Sequence, residues 1–161
     1  MKKILYGNDA KEAILRGVEK IANAVNITLG PKGKNVALKS EYSSPVIIND
    51  GVSIAKEVVL EDEVENLGAE LLKEVALKTN DIAGDGTTTA TVLAYSMVKE
   101  GMKNITAGAN PVHIRNGMNK TLKESVKIIK KISKSVESNE QIKEVAIISS
   151  GDITTGNLIY N

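Results

Sequence analysis

Apolar residues recur every three or four positions along most of the chain, and that period predicts helices. Ala10, Ala13, Ile14, Val18, Ile21, Ala22 and Val25 mark the first helix, with Asn8 or Asp9 expected as its N-cap. Val64, Leu67, Leu71, Leu72, Val75 and Ala76 mark a long amphipathic helix from Asp62 to about Ile82. A third helix starts at the threonines 87–89 and continues through Val92, Leu93, Ser96, Met97 and Met102. Pro111, suited to a first helical turn, opens a fourth through Ile114, Met118, Leu122, Val126, Ile129 and Ile132. The period breaks over 134–139, and Ile142, Val145, Ala146 and Ile148 then predict a shorter helix. A last apolar period begins at Thr154 and stops before it completes a face, so the chain reads as a truncated one.

Short strand-like runs appear in the N-terminal third. Residues 35–39 and 45–48 read as two short strands around a polar loop containing Ser40, Glu41, Ser43 and Ser44. Asn49-Asp50-Gly51 closes the second strand and opens a short helix over 52–57, with Asp50 at the N-cap position. Met1–Tyr6 reads as a short strand that needs a partner from elsewhere.

Composition narrows the class without naming a chemistry. The 161 residues are 42% apolar and 25% charged, which is ordinary for one globular domain with a core. Phe and Trp are absent, so the core must be aliphatic, as suits helix-on-helix packing. A net charge of +1 makes no case for nucleic acid or an anionic membrane. Six lysines between Lys120 and Lys134 face one acid, Glu124, but carry no interleaved aromatics or arginines and read as a solvated helix face. Without cysteine there are no disulfides or thiolate metal sites. No apolar run approaches the ~18 residues of a membrane span, and the N-terminus lacks a signal-peptide core. The expected location is the cytoplasm. His113 has no companion ligand, and Met97, Met102 and Met118 read as core filler.

The candidate chemistry sits in Asn80–Ala94. Gly84-Asp85-Gly86 forms a turn that runs straight into Thr87-Thr88-Thr89. Asp85 offers a carboxylate to a hard cation such as Mg2+. The threonines stand where unpaired amides and the positive dipole end of a helix favour an anion. The same residues are also compatible with an ordinary Asp-Gly turn and a threonine cap. Neither G-x-x-x-x-G-K-[ST] nor G-x-G-x-x-G is present. Asp50-Gly51 is a second turn of the same kind, and two carboxylates at two strand- or loop-to-helix junctions could converge on one metal–phosphate group. Thr28-Leu29-Gly30-Pro31-Lys32-Gly33 is a tight turn that brings bare backbone near a ligand or simply joins helix to strand.

Three motifs in register, Thr28–Gly33, Asp50–Glu57 and Gly84–Thr91, closely resemble the group I chaperonins of the bacterial GroEL type. Gly7–Ala10 and Arg16-Gly17-Val18 resemble that family's first helix, so the similarity runs from about residue 4 to about 158. The resemblance implies a mainly α, multihelical fold like the chaperonin equatorial domain with a small β-hairpin, plus the start of the intermediate domain. Residues 1–132 would belong to the N-terminal part of the equatorial ATP-binding domain and 133–161 to the intermediate domain, with the apical domain absent.

The resemblance also implies an ATP-hydrolysing folding machine. Thr28, Leu29, Gly30 and Pro31 would pack on the nucleotide, and Gly86, Thr87, Thr88 and Thr89 would cradle its phosphates. Asp85 would ligate Mg2+, with K+ a candidate second cation. Asp50 would be an auxiliary catalytic carboxylate, the family's main one lying beyond the chain end. Implied partners are copies of the same subunit in a ring, unfolded protein clients and a co-chaperonin, with neither nucleic acid nor membrane. The strand pair at 35–48 would meet a neighbouring subunit's terminus. Asn49 departs from the family, where Lys is frequent, and removes an ammonium from the phosphate side. The alternative is a non-enzymatic helical interaction module of the same ancestry.

Overall fold

The computed structural model describes residues 4–30, 32–39 and 44–160, so Pro31 and residues 40–43 lie outside the described residues. Among the described residues, seven helices and two short strands follow in the order α1 (Gly7–Asn26), β1 (Val36–Leu38), β2 (Val46–Ile48), α2 (Gly51–Glu57), α3 (Glu63–Ala83), α4 (Thr87–Thr106), α5 (Pro111–Ile132), α6 (Asn139–Ser150) and α7 (Ile153–Tyr160). The strands pair antiparallel, with Ala37 opposite Ile47. Helices α1 and α3–α6 fall where the apolar period places them, α2 follows the Asp50-Gly51 turn as expected, and α7 occupies the last, incomplete apolar period.

Helix boundaries follow local chemistry. The Asp50 carboxylate accepts from the amides of Val52 and Ser53 at the start of α2, and Asp62 accepts from those of Val64 and Glu65 at the start of α3. Ser138 and Gln141 form a reciprocal capping box on α6. The start of α1 differs from expectation. It begins at Gly7, and its N-cap is Tyr6, which makes no side-chain cap; Asn8 and Asp9 lie inside the first turn. Ile4, Leu5 and Tyr6 are not in a strand, and residues 1–3 of the expected terminal strand lie outside the described residues.

The chain divides into two compact units between Pro111 and Val112. In the first, Val18, Ile21, Ala22 and Val25 of α1 pack with Val52, Ile54 and Ala55 of α2 and with Ala69, Leu72 and Ala76 of α3. Small residues let the helices approach. A Cβ on Gly17 would lie 2.7 Å from the Glu65 carbonyl carbon, and one on Gly68 would lie 2.9 Å from that of Ile14. Glu65 then accepts from Arg16 at 2.8 Å and from Lys20 at 2.5 Å, tying α3 to α1 across the same crossing. Glu19 of α1 holds both the Tyr95 hydroxyl and Lys99 of α4.

The period alone misplaces the buried face of α3. Leu67 and Leu71 are about half exposed, whereas Gly68, Ala69, Leu72 and Ala76 face inward. The buried residues of α4 are likewise small or polar, Thr87, Thr91 and Gly101, while Leu93 and Met97 point outward. In the second unit α6 and α7 pack together, with Gly156 against the backbone of Ile147.

Candidate functional site

Helix α3 ends where Gly84 takes a left-handed conformation (φ +69°) and its amide donates to the Asn80 carbonyl. Gly86, also left-handed (φ +79°), is the N-cap of α4. A side chain at either position would be strained, so the two glycines are what allow so short a reversal. Between them the Asp85 Oδ1 accepts from the Gly86 amide at 2.6 Å, which fixes the direction of an exposed carboxylate. No side chain caps α4, unlike α2, α3 and α6. The amides of its first turn have no carbonyl one turn back and carry the positive end of the dipole. Thr91, fully buried, donates its hydroxyl to the Thr87 carbonyl at 2.8 Å and stiffens this turn.

The turn after α1 reaches the same place. Thr28 and Leu29 amides donate to the Val25 and Asn26 carbonyls, and Lys34 closes the loop onto the Ile27 carbonyl. The Thr28 hydroxyl donates to the Val25 carbonyl at 2.8 Å. Its proton being committed there, the long 3.4 Å contact between the Thr28 and Thr88 hydroxyls has Thr88 as donor.

Asp50 arrives at the start of α2. Its Oδ1 accepts from the Val52 amide at 3.3 Å, and its Oδ2 from the amide and hydroxyl of Ser53 at 2.9 and 2.5 Å. Partial burial pushes the Asp50 carboxyl pKa up, but the Ser53 hydroxyl, the two amides and the nearby Lys56 charge outweigh it. The net effect holds the group below the ordinary carboxylate range.

Thr28, Leu29, Gly30, Asn49, Asp50, Gly51, Asp85, Gly86, Thr87, Thr88 and Thr89 together line one open cavity of about 250 Å3. Every site residue expected from the sequence is therefore in one place, except Pro31, which lies outside the described residues. Gly51 was not among those expected; its only signal in the sequence is its place after Asp50. Among the described residues no group of three or more His, Cys, Asp or Glu side chains is placed to hold a metal. A donor set of one or two carboxylates fits Mg2+, which keeps waters and takes its remaining ligands from substrate phosphate oxygens.

A multihelical body with one small antiparallel hairpin, built around this cavity, is the architecture of a chaperonin equatorial domain. A model of the TCP-1/cpn60 chaperonin family matches residues 21–157, and the chain belongs to that family. A solved relative is the chaperonin gp146 from the bacteriophage EL 2 (Pseudomonas aeruginosa), crystallised in the presence of ATP-BeFx. This chain is similar to it at 27% sequence identity with a TM-score of 0.82, over 97% of this chain and 28% of that one. The chain thus spans little more than a quarter of the length of that chaperonin.

Proposed function

We propose that the cavity binds Mg2+-ATP and that the chain serves as part of an ATP-hydrolysing chaperonin subunit of group I type. The observation that carries this reading is the meeting of three separate segments, 28–30, 49–51 and 85–89, around a helix start that no side chain caps. In this reading the first-turn amides of α4 and the hydroxyls of Thr87–Thr89 hold the phosphates, and the turn at Thr28–Pro31 packs on the nucleoside. Asp85 holds Mg2+, which when bound neutralises charge on the phosphate oxygens. K+ is a candidate further cation. Asp50, kept ionised but made a weak base by its hydrogen bonds, orients water by accepting from it and does not take its proton. Asn49 brings no positive charge, so in this reading the helix end and the metal carry more of the electrostatics.

Family membership supports a wider proposed role: ATP-dependent assistance of protein folding and refolding in a cytoplasmic ring, with unfolded clients and a co-chaperonin as proposed partners. Residues 1–132 are assigned to the equatorial domain and 133–161 to the start of the intermediate domain. Exposed apolar rows on α3 and α4, including Leu67, Leu71, Leu93 and Met97, support burial against further protein surface. The same rows favour the second reading, a helical interaction module without ATPase activity.

Calorimetric titration of the chain with Mg2+-ATP, with Asp85→Ala as control, separates the two. Saturable heat that disappears in an Asp85→Ala variant of unchanged circular dichroism is the expected result. A well-folded chain that gives no heat, or a variant that binds equally well, overturns the phosphate site and leaves the module.

A further inference from the structure

We infer that Gly51 is a positioning residue for the cavity, setting where the Thr88 hydroxyl stands; this rests on the phosphate-site reading above. Gly51 is the first residue of α2 and is buried between two other segments. A Cβ built on it would lie 3.1 Å from Val25 Cγ1, 3.3 Å from Thr88 Cβ, and well inside contact distance of Thr88 Oγ1. The space a methyl group would occupy is thus already held by the end of α1 on one side and the start of α4 on the other.

The two sides do not yield equally. Val25 is fully buried in the aliphatic core, where close packing resists displacement. Thr88 is only half-buried and borders the open cavity, and its hydroxyl moves by a rotation about χ1. Alanine at 51 therefore relaxes by turning Thr88 out of its rotamer. That breaks the Thr88–Thr28 contact, which links the start of α4 to the turn after α1. A glycine here keeps three helix ends in contact and holds two of the cavity's hydroxyls at a fixed separation. Its backbone is not in the left-handed region, so the requirement is for space and not for conformational freedom.

The test is a double-mutant cycle on the full chain, with Mg2+-ATP as the probe: Gly51→Ala, Thr88→Ala and the pair together. Each single variant is expected to weaken binding by about five-fold or more, the scale of one lost hydrogen bond. The double variant is expected to bind no more weakly than Thr88→Ala, because the colliding oxygen is gone. A second readout needs no ligand: three-bond couplings at Thr88 report its χ1, which should change in Gly51→Ala while thermal stability stays level. Additive losses in the cycle overturn the inference, as does an unchanged Thr88 rotamer or unchanged affinity in Gly51→Ala. If the unaltered chain gives no Mg2+-ATP binding while Thr88 still turns, the phosphate site fails and takes this inference with it. If the unaltered chain binds but Gly51→Ala binds equally, only the inference fails.

Discussion

Gly17→Ala tests the close crossing on which two walls of the cavity rest. The added Cβ would stand 2.7 Å from the Glu65 carbonyl carbon and nearer still to its oxygen. Because the obstacle is backbone, no rotamer change relieves it, and α1 must retreat from α3 by roughly 1 Å to reach ordinary carbon–carbon contact. A gap of that size forfeits up to about half of the attraction between the atoms it separates. Those atoms include Val18 and Ile21 on one side and Ala69 and Leu72 on the other, all 3% exposed or less. Overpacking of this kind costs about 1–3 kcal/mol. Weakened burial of two or three aliphatic side chains adds about 1–2 kcal/mol more, at a fraction of the transfer value of each. Alanine's helix propensity returns about 1 kcal/mol. The net expectation is a loss of about 1–4 kcal/mol, a sizeable part of the roughly 5–15 kcal/mol of a typical domain.

The control is Gly117→Ala in α5, where an added Cβ meets nothing within 4 Å. The same substitution should there stabilise by about 0.5–1 kcal/mol. Urea unfolding followed by circular dichroism measures both, with segment-resolved amide exchange assigning the loss to the first unit, since a chain of two units need not unfold in one step. Because α1 leads into the Thr28 turn and α3 into Gly84-Asp85-Gly86, Gly17→Ala should also weaken Mg2+-ATP binding at temperatures where it is folded. A Gly17→Ala midpoint equal to or above that of the unaltered chain refutes the reasoning.

Asp50 separates its structural from its proposed chemical role by choice of substitution. Asp50→Ala should cost about 1 kcal/mol at neutral pH, whereas Asp50→Asn, an equally good N-cap, should hold stability but lower ATP turnover. The folded-state pKa of Asp50 is depressed, so its contribution is complete at neutral pH and is lost as pH falls through that lowered value. Acid titration of stability should be flatter in Asp50→Ala at the acid end, and equal slopes in the two proteins would count against the capping account. Leu72→Ala, in the middle of the α1–α3 interface at 2% exposure, should cost about 2–5 kcal/mol in the same urea assay; a loss below 1 kcal/mol would mean that this interface is not the core.

What the sequence made legible, and what it did not, divides along a physical line. Helix periods, the Asp50 cap and the two short strands are written in local chemistry, so neighbouring residues sufficed to find them. The three motifs around the cavity were legible for a related reason: each is a turn whose glycines and hydroxyls stand out from the aliphatic background. Facing was legible on α1, where Ala13, Val18, Ile21, Ala22 and Val25 are all buried, but only in part on α3 and α4. A long apolar residue suggests an inward face, yet Leu67, Leu71, Leu93 and Met97 point outward while glycine, alanine and threonine line the crossings. A glycine inside a helical period reads as a weak helix former until the partner backbone is known, as at Gly17 and Gly68. Gly51 shows the same limit at the site itself: its neighbours Val25 and Thr88 lie 26 positions before it and 37 after it. Close approach is a property of pairs of segments, and it is close approach that gathers Thr28, Asp50 and Asp85 around one cavity. The residues with chemistry are found by their type, whereas the residues that bring them together are the ones with least side chain to read.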